Sequence, residues 1–218
     1  MKLPLSNVTG MLRSWYRAEA DLDMDWPALD VKHEPVASAA GWAVLTLHTQ
    51  TPLFKDEREQ IDGYDYFYLY RASGRHFLVV SSRQELVELL VKKLTRYGPL
   101  AGPNVDVPRL VAHLVDEPSR YSVAGLFAKV SGYRSSLESV SLYGSDLASA
   151  DLFVDLLPKL KPYRVQLRDT HSGQNVLAIG NKGEVSFTYR SAQTLRAVDK
   201  TLAFVNADYV VWPEAKKS

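Results

Sequence analysis

The stretch DGYDYFYLYRASGRHFLVVSSRQELVELLVKKLTRYG, residues 62–98, reads as strand, tight turn, strand and helix. Tyr64, Tyr66, Tyr68 and Tyr70 fall on every second residue with Phe67 and Leu69 between them, the period of a β-strand rich in strand formers. Ala72, Ser73 and Gly74 supply a short connection with a glycine for a positive φ, and His76 to Ser81 reads as the returning strand. Ser82 and Glu85 have the spacing of a capping box, after which Leu86, Leu89, Leu90 and Leu94 mark the buried stripe of a helix. Lys92, Lys93 and Arg96 crowd its last turn, and Gly98 with Pro99 closes it.

The same order returns near the other end of the chain. Strands at Asn175–Ile179 and Glu184–Tyr189 are joined by Gly180, Asn181, Lys182 and Gly183, a strong hairpin signal. Ser191 then stands as a cap before a helix with Leu195, Val198, Leu202 and Val205 on one face. Gly74, Ser82, Gln84 and Leu86 recur as Gly183, Ser191, Gln193 and Leu195, each 109 positions later. A hairpin followed by a helix is common enough to arise twice, so these identities do not establish a duplication.

Between the two lies Gly98-Pro99-Leu100-Ala101-Gly102-Pro103-Asn104, with two glycines and two prolines in seven residues. Such density marks a boundary, so the expected units are residues 1–100 and 105–218, with 101–104 as linker. Asp106 caps a helix through Leu110, Val111 and Leu114, with Pro108 in its first turn. Strands near Leu126–Ser131 and Leu137–Tyr143 follow, then a helix with Leu147, Val154 and Leu157 that Pro158 terminates, then a strand at Tyr163–Asp169. On that helix Asp151 and Asp155 form the polar side. The C-terminal half thus runs helix-β-β-helix-β-β-β-helix. In element order alone this resembles profilin-like, roadblock and longin domains, many of which are dimerisation or scaffold modules, and fold does not fix function.

Upstream of the opening stretch, Asn7 or Ser6 caps a first helix with Val8, Met11, Leu12 and Trp15 at helical spacing. Asp21 to Pro35 is acidic and proline-broken and reads as an exposed irregular connection. Trp42 to Thr49 reads as a strand, and residues 50–60 as a solvated loop or short surface helix. The expected fold class is α+β: two units, each an antiparallel β-sheet with packed helices.

Composition narrows the chemistry. The 218 residues contain no cysteine, which excludes disulfides, zinc-thiolate sites, iron–sulfur clusters and a cysteine nucleophile. No apolar run approaches the roughly 18 residues of a membrane span, and the first ten residues lack a signal peptide's pattern, so the expected location is cytoplasmic, away from membranes. Net charge is +1, but residues 107–218 carry 14 Lys+Arg against 11 Asp+Glu, or +3, leaving −2 elsewhere. A nucleic-acid site would therefore be a local patch.

No motif for catalysis or cofactor binding is visible. The five histidines, at 33, 48, 76, 113 and 171, have no helical ligand spacing, although His48 and His76 could meet across a sheet. Asp21, Asp23 and Asp25 alternate as in a calcium loop, but its sixth position is Trp26 and its twelfth Lys32. A hydrated acidic loop is the better reading. Catalytic residues, metal ligands and cofactors are accordingly none. No glycine-flanked serine elbow, phosphate loop or dinucleotide fingerprint is present.

The one statistical oddity is arginine beside tyrosine, at Tyr16-Arg17, Tyr70-Arg71, Arg96-Tyr97, Arg120-Tyr121, Tyr133-Arg134, Tyr163-Arg164 and Tyr189-Arg190. Chance predicts roughly 1.5 such pairs for this composition, and both residue types favour interfaces and nucleic acids. The plain structural reading is a half-buried tyrosine beside an arginine that faces water. The leading functional reading is a non-enzymatic cytoplasmic binding or assembly protein. Its face is Tyr64, Tyr66, Tyr68, Tyr70, Arg71 and Arg75, and its partner is another protein or a second copy of the chain. The alternative is a nucleic-acid-binding domain using the same residues. A small hydrolase-type enzyme, for which no motif is visible, comes third.

Overall fold

The computed structural model describes residues 6–15, 31–52, 60–73, 76–117, 119–130 and 139–213. The calcium-like run Asp21 to Asp25, the charged run Lys55 to Glu59, the turn residues Gly74 and Arg75, and Tyr133-Arg134 lie outside them. The fold is α+β, with helices and antiparallel strand pairs. Its described residues fall into two compact units, Val8–Ala101 and Gly102–Pro213, with Ser6 and Asn7 grouped with the second.

The N-terminal unit contains β1 (Ser6–Trp15), β2 (Val31–Pro35), β3 (Trp42–Pro52), β4 (Gln60–Ser73), β5 (His76–Ser81), α1 (Gln84–Leu94) and the short β6 (Leu100–Ala101). Its strands are ordered β2-β3-β4-β5-β1, with β6 also pairing β1. The longest ladder joins β3 to β4 from Trp42↔Tyr70 to Pro52↔Gln60. Strand β5 lies between β4 and β1 and carries the fully buried Leu78, Val79 and Val80. Helix α1 packs on β5 through Leu86, Val87, Leu90 and Leu94. A strand buried on both faces reads as a continuous apolar run, which is what Phe77 to Val80 is.

Two local expectations fail here. The helix expected from Asn7 to Trp15 is instead β1, paired with β5 from Thr9↔Ser81 to Ser14↔His76. Val8, Gly10, Leu12 and Ser14 are buried and the intervening residues Thr9, Met11 and Arg13 less so, a period of two that the spacing of Val8, Met11, Leu12 and Trp15 concealed. Gly10 explains the preference: in a helix interior it costs about 1 kcal/mol, whereas in β1 it makes room. A Cβ there would meet the Val79 carbonyl oxygen at 2.5 Å and the Val80 side chain. Likewise Val31–Pro35, read as irregular, forms β2 by pairing with five residues of β3. Its exposed Lys32–Glu34 ion pair places charge on a strand that, among the described residues, has a neighbour on one side only, as edge strands often do.

Helix α1 also starts one residue later than expected. Arg83 is its N-cap residue, with no side-chain cap bond, so Ser82 does not cap it. Gln84 links α1 to β1 instead, accepting from the Thr9 hydroxyl at 2.9 Å. Within the expected stripe, Leu89 is exposed and Val87 takes its place in the core.

The C-terminal unit contains β7 (Asn104–Val105), α2 (Val107–Asp116), β8 (Tyr121–Val130), β9 (Ser139–Tyr143), α3 (Asp151–Leu156), β10 (Leu160–Asp169), β11 (Gln174–Gly180), β12 (Glu184–Tyr189), α4 (Ala192–Asp208) and β13 (Val210–Val211). Its sheet is ordered β9-β8-β10-β11-β12, and β7 pairs separately with β13. Helix α2 packs on β8 and β10, and α4 on β11 and β12. Between them lie Leu126, Val165, Leu167, Leu177 and Ile179, all essentially inaccessible. Asp106 caps α2 by accepting from the Arg109 N–H at 3.1 Å. Ser191 caps α4 in a capping box with Thr194. The helix expected across Leu147 to Leu157 is broken into a 3-10 turn at Leu147–Ser149, the short α3 and a second 3-10 turn at Leu157–Lys159. Only six residues are α-helical, so no lasting apolar face develops. Phe153 is buried with Asp151 and Asp155 exposed on the side opposite it, but Leu152 and Val154 are exposed as well.

Candidate functional site

The functional face expected from sequence lies on β4, the middle strand of the N-terminal sheet. The register sets Tyr64 opposite His48, Tyr66 opposite Thr46, Tyr68 opposite Val44 and Val80, and Tyr70 opposite Trp42 and Leu78. Of these neighbours Trp42, Leu78 and Val80 are buried. Arg71 stands opposite Phe77, and Arg75 is outside the described residues. His48 and His76 do not meet: His48 pairs with Tyr64 and His76 with Ser73, nine residues apart along β4.

A different set of residues is brought together in the C-terminal unit. Strands β11 and β12 pair only at Ala178↔Ser186 and Ile179↔Val185, next to the Asn181–Gly183 turn, where Gly183 takes φ +78°. Beyond Ala178 the ladder stops, although both strands continue. Val176 and Asn175 then line one side of a cavity of about 820 Å³ and Thr188 and Arg190 the other. Helix α4 completes the lining with Gln193, Arg196, Ala197 and Lys200, spaced i, i+3, i+4, i+7 on one stripe. That stripe lies beside the buried stripe of Leu195, Val198, Leu202 and Val205, so packing the helix on the sheet fixes where its cations project. Thr201, also buried, is satisfied by donating to the Ala197 carbonyl at 2.9 Å.

At the far end of β10 the floor is organised by Asp169. One carboxylate oxygen accepts from Arg120 Nε at 3.1 Å and Nη2 at 2.9 Å. The other accepts from the backbone N–H of His171 at 2.9 Å and of Ser172 at 3.1 Å. Burial alone pushes the Asp169 carboxyl up, but the Ser172 N–H, the Arg120 guanidinium and the His171 N–H together hold it below the usual carboxylate range. Gly173, at φ +64°, closes the same turn through its N–H to the Asp169 carbonyl, and a Cβ there would approach the Arg168 guanidinium to 3.3 Å. Glycine therefore both permits the turn and leaves space beside Arg168.

The resulting charge is one-sided. The cavity is lined by the cations Arg120, Arg168, Arg190, Arg196 and Lys200 and by a single carboxylate, Asp169. Five positive charges against one negative leave +4. Asp169 is already engaged by Arg120, while among the described residues the side chains of Arg190 and Lys200 have no ion-pair partner. In a concave site such charges reinforce one another's field and draw anions. Compared with known proteins, the chain matches no family model and no curated sequence. The cavity must be read from its own chemistry.

A lining of this kind suits negative groups. Four of the five cations are arginines, whose planar forks suit carboxylate and phosphate oxygens. The rest of the lining is hydroxyls, amides and small residues. Among the described residues no group of three His, Asp or Glu could hold a metal ion, and no helix is long and apolar enough to cross a membrane.

Sequence reading missed this site, yet traces of it were present. Arg120 and Arg190 belong to two of the Tyr-Arg pairs. Tyr121 is buried against Phe204, ring centroids 5.0 Å apart, while the Arg120 side chain is half exposed. Tyr189 is half-buried and Arg190 exposed. Both follow the plain reading of adjacency, and it is the water-facing arginine that reaches the cavity. Arg164 of a third pair is instead taken up within the unit, donating to the Ser186 hydroxyl and lying over the Phe127 ring.

Proposed function

We propose that this is a non-enzymatic binding or assembly protein of the cytoplasm whose C-terminal unit receives an anionic group of its partner in the basic cavity. The observation that carries the reading is the +4 lining of a partly open concavity of about 820 Å³ whose one carboxylate is internally neutralised. The element order of the C-terminal half, which resembles that of profilin-like and roadblock domains, agrees with a scaffold or dimerisation role but adds no residue-level support. The β4 set of Tyr64, Tyr66, Tyr68, Tyr70 and Arg71, with Arg75, belongs to the same proposal as a separate contact surface. A Tyr68→Ala variant that binds its partner normally would remove it.

Tripolyphosphate serves as a generic probe. It should raise the Tm of the wild-type chain, because a ligand that binds only the folded state stabilises it by mass action. The shift should shrink with added salt and vanish in Arg190→Ala/Lys200→Ala, both exposed positions where truncation removes charge and no core packing. An equal shift in the double variant would show that the anion binds elsewhere.

A further inference from the structure

The chemistry of the lining also distinguishes between classes of anionic partner. Resting on the reading of the cavity as an anion site, we infer that its ligand is an extended acidic segment of a protein, rich in Asp and Glu, rather than a nucleic acid.

Three observations point this way. First, the lining has no aromatic side chain. Single-stranded nucleic acids are held largely by stacking bases on aromatic rings, a contribution this cavity cannot make. Second, the site is a partly open concavity between the parting strands β11 and β12 and helix α4. A duplex presents its phosphates on a broad convex cylinder and needs an open basic surface, whereas a single extended chain about 5 Å across can enter such a space. Third, the cations are interleaved with amides: Gln166, Gln174, Asn175 and Gln193 all face the cavity. Each amide offers both a donor and an acceptor, the pairing that a peptide group requires and that a phosphodiester, which has no donor, does not.

Position adds a register. Arg196 and Lys200 are one helical turn apart, roughly 6 Å along α4, close to the spacing of two residues on an extended chain. Acidic side chains at alternate positions of a bound strand would fall beside them in turn. Arg168, on the end of β10, and Arg190, after β12, flank that line on the sheet side. Acidic residues separated by small polar ones, which would leave the amides free to reach the peptide backbone, are the pattern that fits.

The test is fluorescence anisotropy on the full chain with two labelled probes, an octapeptide of alternating Glu and Ser and an eight-nucleotide oligothymidylate, at a fixed moderate salt concentration. Acidic-peptide binding should be lost when Glu is replaced by Gln in the probe. It should also weaken at least tenfold in Arg190→Ala/Lys200→Ala and persist in Lys129→Ala/Lys161→Ala, which removes two exposed cations away from the cavity. Circular dichroism of both double variants checks their fold. Tighter binding of the oligonucleotide, abolished by Arg190→Ala/Lys200→Ala, would overturn the peptide assignment while leaving the anion site standing. Binding of neither probe, or binding that the cavity variant does not alter, would overturn both.

Discussion

Replacing Asp169 separates two roles of one carboxylate. Its Oδ1 holds the backbone N–H groups of His171 and Ser172, and its Oδ2 holds Arg120. Asp169→Ala removes both. The two N–H groups lie on exposed turn residues that water can reach, so each lost bond is worth about 1 kcal/mol, and the variant should lose about 2 kcal/mol. The Arg120 pair adds little to this because that side chain is half exposed and screened. Asp169→Asn keeps an oxygen acceptor for the turn and should cost under about 1 kcal/mol at pH 7. Urea denaturation followed by far-UV circular dichroism reads both, and a 2 kcal/mol loss lowers the midpoint by about 1 M at an ordinary m-value. The pH dependence has a definite sign. Because the folded-state pKa of Asp169 is depressed, its stabilisation is present above the unfolded-state value of about 3.9 and is lost as pH falls through the folded-state value. The gap between wild type and Asp169→Asn should therefore close on acidification below about pH 4. An alanine variant as stable as wild type, or a gap that widens in acid, would refute the account.

Gly10→Ala should destabilise the chain by about 1–3 kcal/mol, since a Cβ meeting the Val79 carbonyl at 2.5 Å outweighs the propensity gain of about 0.5–1 kcal/mol; thermal denaturation checks it. Ser191→Ala should cost about 0.5–2 kcal/mol while Ser82→Ala leaves the urea midpoint unchanged, because only Ser191 caps its helix. Limited proteolysis should cut at the exposed Gly102 or Asn104 before any site within His76–Leu94, and early fragments from inside that segment would show the boundary to be misplaced.

How much was legible depends on how far apart in sequence the determinants lie. Helix α2 was readable because its cap, Asp106, is three residues from the Arg109 N–H it binds. Helix α4 was readable because Leu195, Val198, Leu202 and Val205 repeat with the period of the helix that buries them. The Gly180–Gly183 turn announced itself through residues that tolerate positive φ. Strand β1 was misread because Val8, Met11, Leu12 and Trp15 satisfy a helical period by accident, and only the partner strand β5 enforces the period of two. The broken helix around α3 was misread for the converse reason: its leucines suggest a continuous face that the sheet does not cover.

By itself the sequence determined the elements whose signals are confined to one turn of helix or one hairpin, and it excluded thiol chemistry through the absence of cysteine. The cavity was decided by tertiary structure alone. Arg120 and Asp169 are 49 positions apart, and no spacing rule joins them. They meet because β8 and β10 pair antiparallel with Tyr121 opposite Asp169. Arg190, Arg196 and Lys200 converge on the same space because β12 parts from β11 after two paired positions and α4 must bury its leucine and valine stripe against the sheet. Burial of apolar surface fixes where the helix lies, and the cations on its adjacent stripe are carried to the cavity with it.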